Sequence, residues 1–155
     1  MAVLNPSAKQ ARANRPSTRA FRDSLVSLLP AGITAEATEI AEGRLHVNAL
    51  TQWAEHTAGF SRTRTNEFVS GRTAAREALK RLGSDNTLVL RDKNKAPVWP
   101  MATVGSISHT RSIAVAAVSW KTDFASIGID IEVCGALHPR DAHIVIHEED
   151  RSEER

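Results

Sequence analysis

Two acidic residues stand two positions apart near the end of an apolar run. Asp130 and Glu132 alternate with isoleucines over residues 127–132. Because side chains alternate between the faces of a strand, both carboxylates are predicted to face one side and the isoleucines the other. Adjacent carboxylates repel unless a cation or a shared proton lies between them, and oxygen ligands suit magnesium. A half-buried strand with a solvated face explains the same pattern, so the pair alone is only suggestive.

A second group of interest ends in a histidine. Residues 105–109 combine small and hydroxyl side chains and finish at His109. At the end of a strand, backbone amides and an imidazole can meet a phosphate. A solvent-facing polar histidine is the alternative, and the residues by themselves leave it open.

Basic side chains recur along one predicted helix. Arg64 and Arg72 are separated by two helical turns, and Arg76 follows Arg72 at four residues, so the three lie on one flank. Guanidinium groups gathered in this way suit a polyanion. The alternative is a solvated helix face, on which Glu77 and Arg81 form a local ion pair.

A second basic group lies in a proline-rich stretch, where Arg91, Lys93 and Lys95 precede Pro97 and Pro100. Two basic groups, a histidine turn and a paired-acid strand together describe a site for a phosphate-rich ligand and its metal.

The elements that must position these groups follow from the spacing of apolar residues. The clearest helix is predicted from Arg64 to Leu82, where Gly83 ends it. A short helix is predicted over Phe21 to Leu29, and a further helical piece begins around Leu50 and Trp53.

The strands are predicted in the second half of the chain. Three successive strands are expected, with antiparallel neighbours because their connections are short. A shorter strand precedes them, and residues 91–100 are predicted to form a rigid loop. The strand ranges are Leu88 to Leu90, Val104 to Ser108, Ile113 to Trp120 and Ser126 to Glu132.

Composition limits the remaining classes of protein. The 155 residues suffice for one domain, predicted over residues 21–155 behind a flexible basic arm of residues 1–20. A single cysteine, Cys134, excludes an intramolecular disulfide and a multi-cysteine zinc site, and it fits a cytoplasmic location. Every apolar stretch is shorter than the ~20 residues of a membrane helix, so no membrane span is predicted.

Four motifs follow one another along the chain. They are Arg64-x-x-Glu67-Phe68-x-x-Gly71-Arg72-x-x-Ala75-Arg76-x-Ala78-Leu79, Pro97-Val98-Trp99-Pro100, Gly105-Ser106-Ile107-Ser108-His109 and Ile127-Gly128-Ile129-Asp130-Ile131-Glu132. In this order, and within about residues 21–135, they resemble the 4'-phosphopantetheinyl transferase family of the enterobactin synthetase component D type. Their joint spacing is far more specific than any one of them.

The resemblance implies a fold and an activity. The fold is α+β, a long helix packed on a small, mainly antiparallel sheet, similar to the first of two pseudo-symmetric halves in that family. The activity is magnesium-dependent transfer of phosphopantetheine from coenzyme A to a serine of an acyl or peptidyl carrier protein, in siderophore, polyketide or fatty-acid synthesis. The implied enzyme is a holo-[acyl-carrier-protein] synthase type transferase.

The resemblance also implies roles for individual residues. Asp130 and Glu132 match metal ligands and, with His109, make up the catalytic set. Five residues match positions that contact the phosphates of coenzyme A in relatives: Arg64, Arg72, Arg91, Ser108 and His109.

One departure from the family pattern affects the expected activity. Family members continue into a second half whose Lys-Glu helix motif supplies the third metal-binding carboxylate, and Glu148 and Glu149 do not reproduce it. We therefore expect a chain truncated on its C-terminal side that is weakly active or inactive. Two other functions stay open: a non-catalytic module that binds coenzyme A or a carrier protein, and nucleic-acid binding through the basic arm, for which no recognised fold is present and which is not predicted.

Overall fold

A long helix packed on a three-stranded antiparallel sheet forms the centre of the molecule. The computed structural model describes residues 17–40 and 53–133. In chain order its elements are α1 (Thr18–Leu28), β1 (Thr34–Glu39), α2 (Ala54–Thr57), α3 (Arg62–Leu82), β2 (Leu90–Arg91), β3 (Pro97–Val98), β4 (Thr103–His109) and β5 (Ile113–Trp120). The predicted α+β class, a long helix on a small antiparallel sheet, is confirmed.

Local signals at both ends explain the length of α3. The Ser61 side chain accepts a hydrogen bond from the Arg64 amide at 3.2 Å and caps the first turn. Gly83 adopts a left-handed φ of 85° and its N–H bonds to the carbonyl of Lys80, which ends the helix. The predicted helix is thus confirmed, and it begins two residues before the predicted start at Arg64 because Ser61 provides the cap.

The helix α1 begins earlier than its apolar pattern predicts. The Ser17 side chain accepts from the Ala20 amide at 3.2 Å, so the helix starts at Thr18 rather than at Phe21. The division into an arm of residues 1–20 and a domain of residues 21–155 stays a prediction.

The sheet has the strand order β1-β5-β4. The predicted pairing of β4 with β5 is confirmed, with Val104 opposite Ser119 and Ser108 opposite Val115. The sequence did not predict β1, because residues 34–39 carry alanine, threonine and glutamate without a bulky apolar side chain. β1 pairs antiparallel with the free edge of β5, which makes β5 the central and most completely buried strand.

Small side chains allow α3 to lie close to the sheet. Ala74, Ala75 and Ala78 are fully buried and pack with Ala116 and Val118 of the central strand. A Cβ atom on Gly71 of the same helix would lie 2.9 Å from a methyl group of Ile107 in β4, so glycine is required for this approach. The helix that carries Arg64 and Arg72 is thereby held against β4.

The prediction of a third strand at Ser126 to Glu132 is wrong in two respects. This segment has no strand hydrogen bonding, and it does not lie next to β5. Residues 126–133 are extended but form no strand, and they lie alongside β4, where the Ile129 amide meets a hydroxyl of Ser106. The place next to β5 that the short connection favoured is occupied by β1. Competition for a sheet edge is decided by distant chain segments, which explains the failure of a local rule.

The prediction of an irregular loop over residues 91–100 is also wrong. This stretch closes a small hairpin in which Leu90 pairs with Val98 and Arg91 with Pro97. The Asp92 carboxylate accepts from the amides of Asn94 and Ala96, both at 2.8 Å, and so reinforces the backbone turn in which the Lys95 amide bonds to the Asp92 carbonyl at 3.0 Å. The separately predicted strand at Leu88 to Leu90 shrinks to the two-residue β2.

A buried glutamate ties two helices to β1. Glu36 forms ion pairs with Arg22 of α1, at 3.5 Å, and with Arg81 of α3. Arg81 therefore does not pair with Glu77, contrary to the local i,i+4 pair considered from the sequence. Glu77 instead pairs with Lys80 at 2.8 Å.

Several sequence-based predictions fall outside the described residues. They concern most of the basic arm, Leu50 at the start of the predicted helical piece, and the region from Cys134 onward, including Glu148 and Glu149. The remainder of that helical piece is present as α2. None of the helices in residues 17–40 and 53–133 is long and apolar enough to cross a membrane.

We predict that Gly105→Ala destabilises the fold by about 2 kcal/mol through overpacking. The new Cβ would lie 2.7 Å from the Trp99 ring and 2.8 Å from the Ala117 carbonyl oxygen, and the backbone atom cannot move aside. Denaturant unfolding measures the change. Gly128→Ala is the matched control, because its Cβ would have no atom within 4 Å; equal midpoints for the two variants would contradict the prediction.

Candidate functional site

Three arginines, two on α3 and one on β2, lie over two phenylalanine rings. The Cζ atoms of Arg64 and Arg91 lie 5.9 Å and 5.1 Å from the ring centroid of Phe60, and that of Arg72 lies 4.9 Å from the centroid of Phe68. These separations permit cation–π attraction. We call Arg64, Arg72 and Arg91 the arginine cluster.

The phenylalanines are themselves held by edge-to-face contacts. The rings of Phe60 and Phe68 are 6.0 Å apart at 78°, and those of Trp53 and Phe68 are 5.8 Å apart at 84°. Trp53 is buried, so the aromatic group is anchored in the fold. The sequence analysis missed this support, although the spacing Phe-x-x-x-Arg occurs at both Phe60 and Phe68 and signals it.

Arg72 is the most unusual member of the cluster. Its side chain is buried, with 6% of the residue exposed, and one terminal nitrogen donates to the Leu90 carbonyl at 3.2 Å. Its Nε atom finds no hydrogen-bond partner in the described part of the chain. Burial, and then the positive charge of Arg91, lower the pKa of Arg72 to about 10. At neutral pH it is a buried cation with no counter-charge among the described residues.

Arg91 joins the hairpin to the short helix α2. It donates to the His56 carbonyl at 3.3 Å. Across residues 17–40 and 53–133, no carboxylate forms an ion pair with Arg72 or Arg91. Arg64 does form one, with the Glu67 carboxylate at 3.4 Å. The cluster therefore holds more positive than negative charge at close range. A bound anion is the natural compensation.

Arg76 differs from Arg72 in having an acid beside it. Its Nε atom lies 3.4 Å from the Glu77 carboxylate, and the predicted flank of Arg64, Arg72 and Arg76 stays a prediction for Arg76. The hairpin brings a further arginine, Arg91, to Arg72 from the proline-rich stretch. Helical spacing identified the two arginines on one element and could not identify the one that arrives from another.

The acidic pair lies on residues 126–133. Asp130 and Glu132 are exposed while Ile127, Ile129 and Ile131 are half-buried, which is the alternation that the sequence predicted. Asp130 Oδ1 accepts from the Ser108 hydroxyl at 2.6 Å and from the Ile131 amide at 3.0 Å. The carboxylates are open to solvent on one side of the segment and can take a cation.

His109 and Ser108 end β4 and face opposite sides of it. Ile107 packs against the core beneath α3, so His109, two residues on, faces the α3 side and Ser108 the side of Asp130. The His109 Nδ1 atom lies 3.2 Å from the Thr110 carbonyl. The end of β4 is therefore the structural link between the helix that carries two of the arginines and the acidic segment.

The donor chemistry of the acidic pair fits magnesium, which takes carboxylate oxygens together with several waters. Within the part of the chain that the structure describes, no group of three His, Cys, Asp or Glu side chains could hold a metal ion. Asp130 and Glu132 thus fit as two ligands of a site that needs further oxygen atoms.

Comparison with known proteins agrees with this arrangement. Residues 52–119, which contain the whole arginine cluster and His109, match the family model of the 4'-phosphopantetheinyl transferase N-terminal domain. The resemblance that the motifs predicted is therefore confirmed for this part of the chain.

Individual relatives match part of the chain. The 4'-phosphopantetheinyl transferase Npt of Nocardia iowensis is 35% identical over 106 residues, which are 68% of this chain and 47% of Npt. Svp of Streptomyces mobaraensis is 42% identical over 54% of this chain and 34% of its own length. Enterobactin synthase component D of Escherichia coli is 39% identical over 52% and 38%. The chain spans less than half the length of each.

A similar solved structure is that of a holo-(acyl-carrier-protein) synthase from Bacillus anthracis in complex with CoA (3',5'-ADP). It is 28% identical, covers 57% of this chain and 94% of its own, and superposes with a TM-score of 0.42.

The depressed pKa of Arg72 predicts a pH dependence of anion binding. Below pH 10 the guanidinium is charged and attracts an anion, and as the pH rises through about 10 that attraction is lost. Folding lowers the pKa, so the unpaired charge costs stability below pH 10 and this cost is relieved above it.

Isothermal titration with inorganic pyrophosphate, a simple polyanion, between pH 8 and pH 11 measures the effect. We expect affinity to fall by about tenfold or more, the worth of a charged hydrogen bond. Arg72→Gln should bind weakly at pH 8 and lose much less over the same range. Parallel pH profiles for the two proteins would show that Arg72 does not control binding.

Proposed function

We propose that the protein acts as a 4'-phosphopantetheinyl transferase and that this chain supplies its coenzyme A-binding part. The observation that carries the proposal is the arginine cluster, in which Arg72 and Arg91 have no carboxylate partner within residues 17–40 and 53–133. The cluster lies inside the segment that matches the transferase family. The relatives named above support the reaction class.

In this proposal the cluster binds the phosphates of coenzyme A. Arg72 supplies a positive charge that is already desolvated, and Arg91 is held in place by its bond to the His56 carbonyl, so little reorganisation accompanies binding. Arg64 is half-exposed at the first turn of α3 and suits the outer phosphate. His109 faces the same side of β4 as the helix and adds a hydrogen bond from its imidazole. The resemblance places Ser108 in this set as well.

Asp130 and Glu132 are proposed to hold magnesium beside the pyrophosphate. When bound, the metal would neutralise charge that develops on the phosphate oxygens. In the transfer step the hydroxyl oxygen of a carrier-protein serine attacks the β-phosphorus. The serine oxygen–phosphorus bond forms, the hydroxyl proton passes to water, and the phosphorus–oxygen bond to the leaving adenosine 3',5'-bisphosphate breaks. The residues of this chain bind and orient the phosphates during that exchange.

Calorimetric titration of the chain with coenzyme A tests the binding step. We expect Arg72→Gln and Arg91→Gln each to weaken binding by about tenfold or more, because each removes a charge-assisted hydrogen bond. Arg76→Gln is the matched control, since its charge is paired with Glu77, and it should change affinity by less than about twofold. Equal losses for all three variants would favour general basic attraction over a built site.

Mass spectrometry of an apo carrier protein tests the transfer step. The carrier protein is incubated with the chain, coenzyme A and magnesium, and slow, partial attachment of phosphopantetheine to its serine is the expected result for a weakly active chain. Asp130→Asn should reduce the rate by at least about tenfold, as expected for loss of a metal ligand. Tight binding of coenzyme A without any transfer would support the non-catalytic module instead.

A further inference from the structure

Two serine hydroxyls attach the acidic segment to β4. Ser106 Oγ accepts from the Ile129 amide at 3.1 Å, and Ser108 Oγ accepts from the Ile131 amide at 3.2 Å. From the first bond to the second, the residue number rises by two on β4 and by two on the segment, so the segment runs in the same direction as β4. The two hydroxyls share one face of the strand.

These side chains take the place of a backbone ladder. In the described ranges, no backbone–backbone hydrogen bond joins residues 126–133 to a strand. The isoleucines are half-buried and the acids exposed, so apolar burial alone holds the segment only partly. The serine hydroxyls therefore determine where along β4 the acids lie.

Ser108 acts on the carboxylate as well as on the backbone. Its hydroxyl donates to Asp130 Oδ1 at 2.6 Å, while the same oxygen atom of Asp130 accepts from the Ile131 amide. A serine hydroxyl has one proton to donate, and here that proton is engaged by Asp130. Among the described contacts, Asp130 Oδ2 accepts none of these bonds, which leaves one carboxylate oxygen for a cation.

We infer that Ser106 and Ser108 are positioning residues for the acidic pair. Ser108 orients the Asp130 carboxylate and Ser106 fixes the backbone one step before it, so together they set the geometry that a divalent cation meets. The inference rests on the proposed function in assigning the carboxylates to a metal. It departs from the family resemblance, which assigns Ser108 to the phosphates of coenzyme A.

Amide hydrogen exchange, resolved by residue with NMR, tests the attachment without reference to function. Ser106→Ala should accelerate exchange at Ile129 by several-fold to about tenfold. Ser108→Ala should accelerate exchange at Ile131 by a smaller factor, because that amide keeps its bond to Asp130 Oδ1. Ser27→Ala is the matched control, because its hydroxyl bonds only within α1, and it should leave both amides unchanged. Unaltered exchange at Ile129 and Ile131 in the two variants would overturn the inference.

Binding of Mn²⁺, followed by electron paramagnetic resonance in the absence of coenzyme A, tests the positioning role. Ser108→Ala should raise the dissociation constant by about tenfold, the effect of removing a hydrogen bond to a ligating carboxylate. Ser106→Ala should raise it less, and Ser108→Thr, which keeps the hydroxyl, should restore it. Asp130→Asn should remove this binding.

The outcomes separate the positioning role of the serines from the assignment of the acids to a metal. If Asp130→Asn abolishes Mn²⁺ binding while Ser108→Ala leaves it unchanged, the positioning role is overturned and the proposed metal pair survives. If Asp130→Asn has no effect, the metal assignment in the proposed function fails, and the exchange rates still decide whether the serines hold the segment. If Ser108→Ala does not fold, Ser106→Ala and Ser108→Thr provide the same comparison.

Discussion

The Arg72 guanidinium is buried with no carboxylate partner in residues 17–40 and 53–133, and this is the constraint around which this part of the molecule is arranged. A buried cation is costly unless something offsets the loss of water. Here a carbonyl of Leu90 and the face of Phe68 offset it in part. The depressed pKa records what is left uncompensated. Such a residue is stable only in a rigid setting, and the aromatic contacts through Phe60 and Trp53 supply one.

The close approach of α3 to the sheet connects this cluster with the acidic segment. Alanines on the inner face of α3 and the glycine at position 71 let the helix lie directly against β4. β4 then presents Ile107 and His109 to the helix and Ser106 and Ser108 to the opposite side. One strand with alternating side chains thus serves two groups of opposite charge. The arginine cluster is thus kept apart from Asp130 and Glu132, which would otherwise neutralise it.

Sequence patterns predicted the elements whose signals are local. The cap at Ser61, the spacing of the alanines and the stop at Gly83 lie within α3 itself, so its bounds were predictable within two residues. β1 and the position of residues 126–133 were not predictable, because each depends on which distant segment pairs most favourably with a sheet edge. The hairpin at residues 91–98 escaped prediction because the Asp92 side chain supplies turn bonds that proline content alone does not reveal.

The sequence by itself determined the identity of the charged groups: two arginines on one helical flank, two acids on one side of an extended segment, and a motif order that resembles the phosphopantetheinyl transferases. Only the tertiary structure decided which groups meet. It brought Arg91 from the hairpin to Arg72. It also placed Phe60 beneath two guanidinium groups and attached Asp130 to Ser108. The physical reason is range: periodicity acts over one or two turns, whereas these contacts join residues far apart in the chain whose proximity depends on packing of the whole sheet and helix.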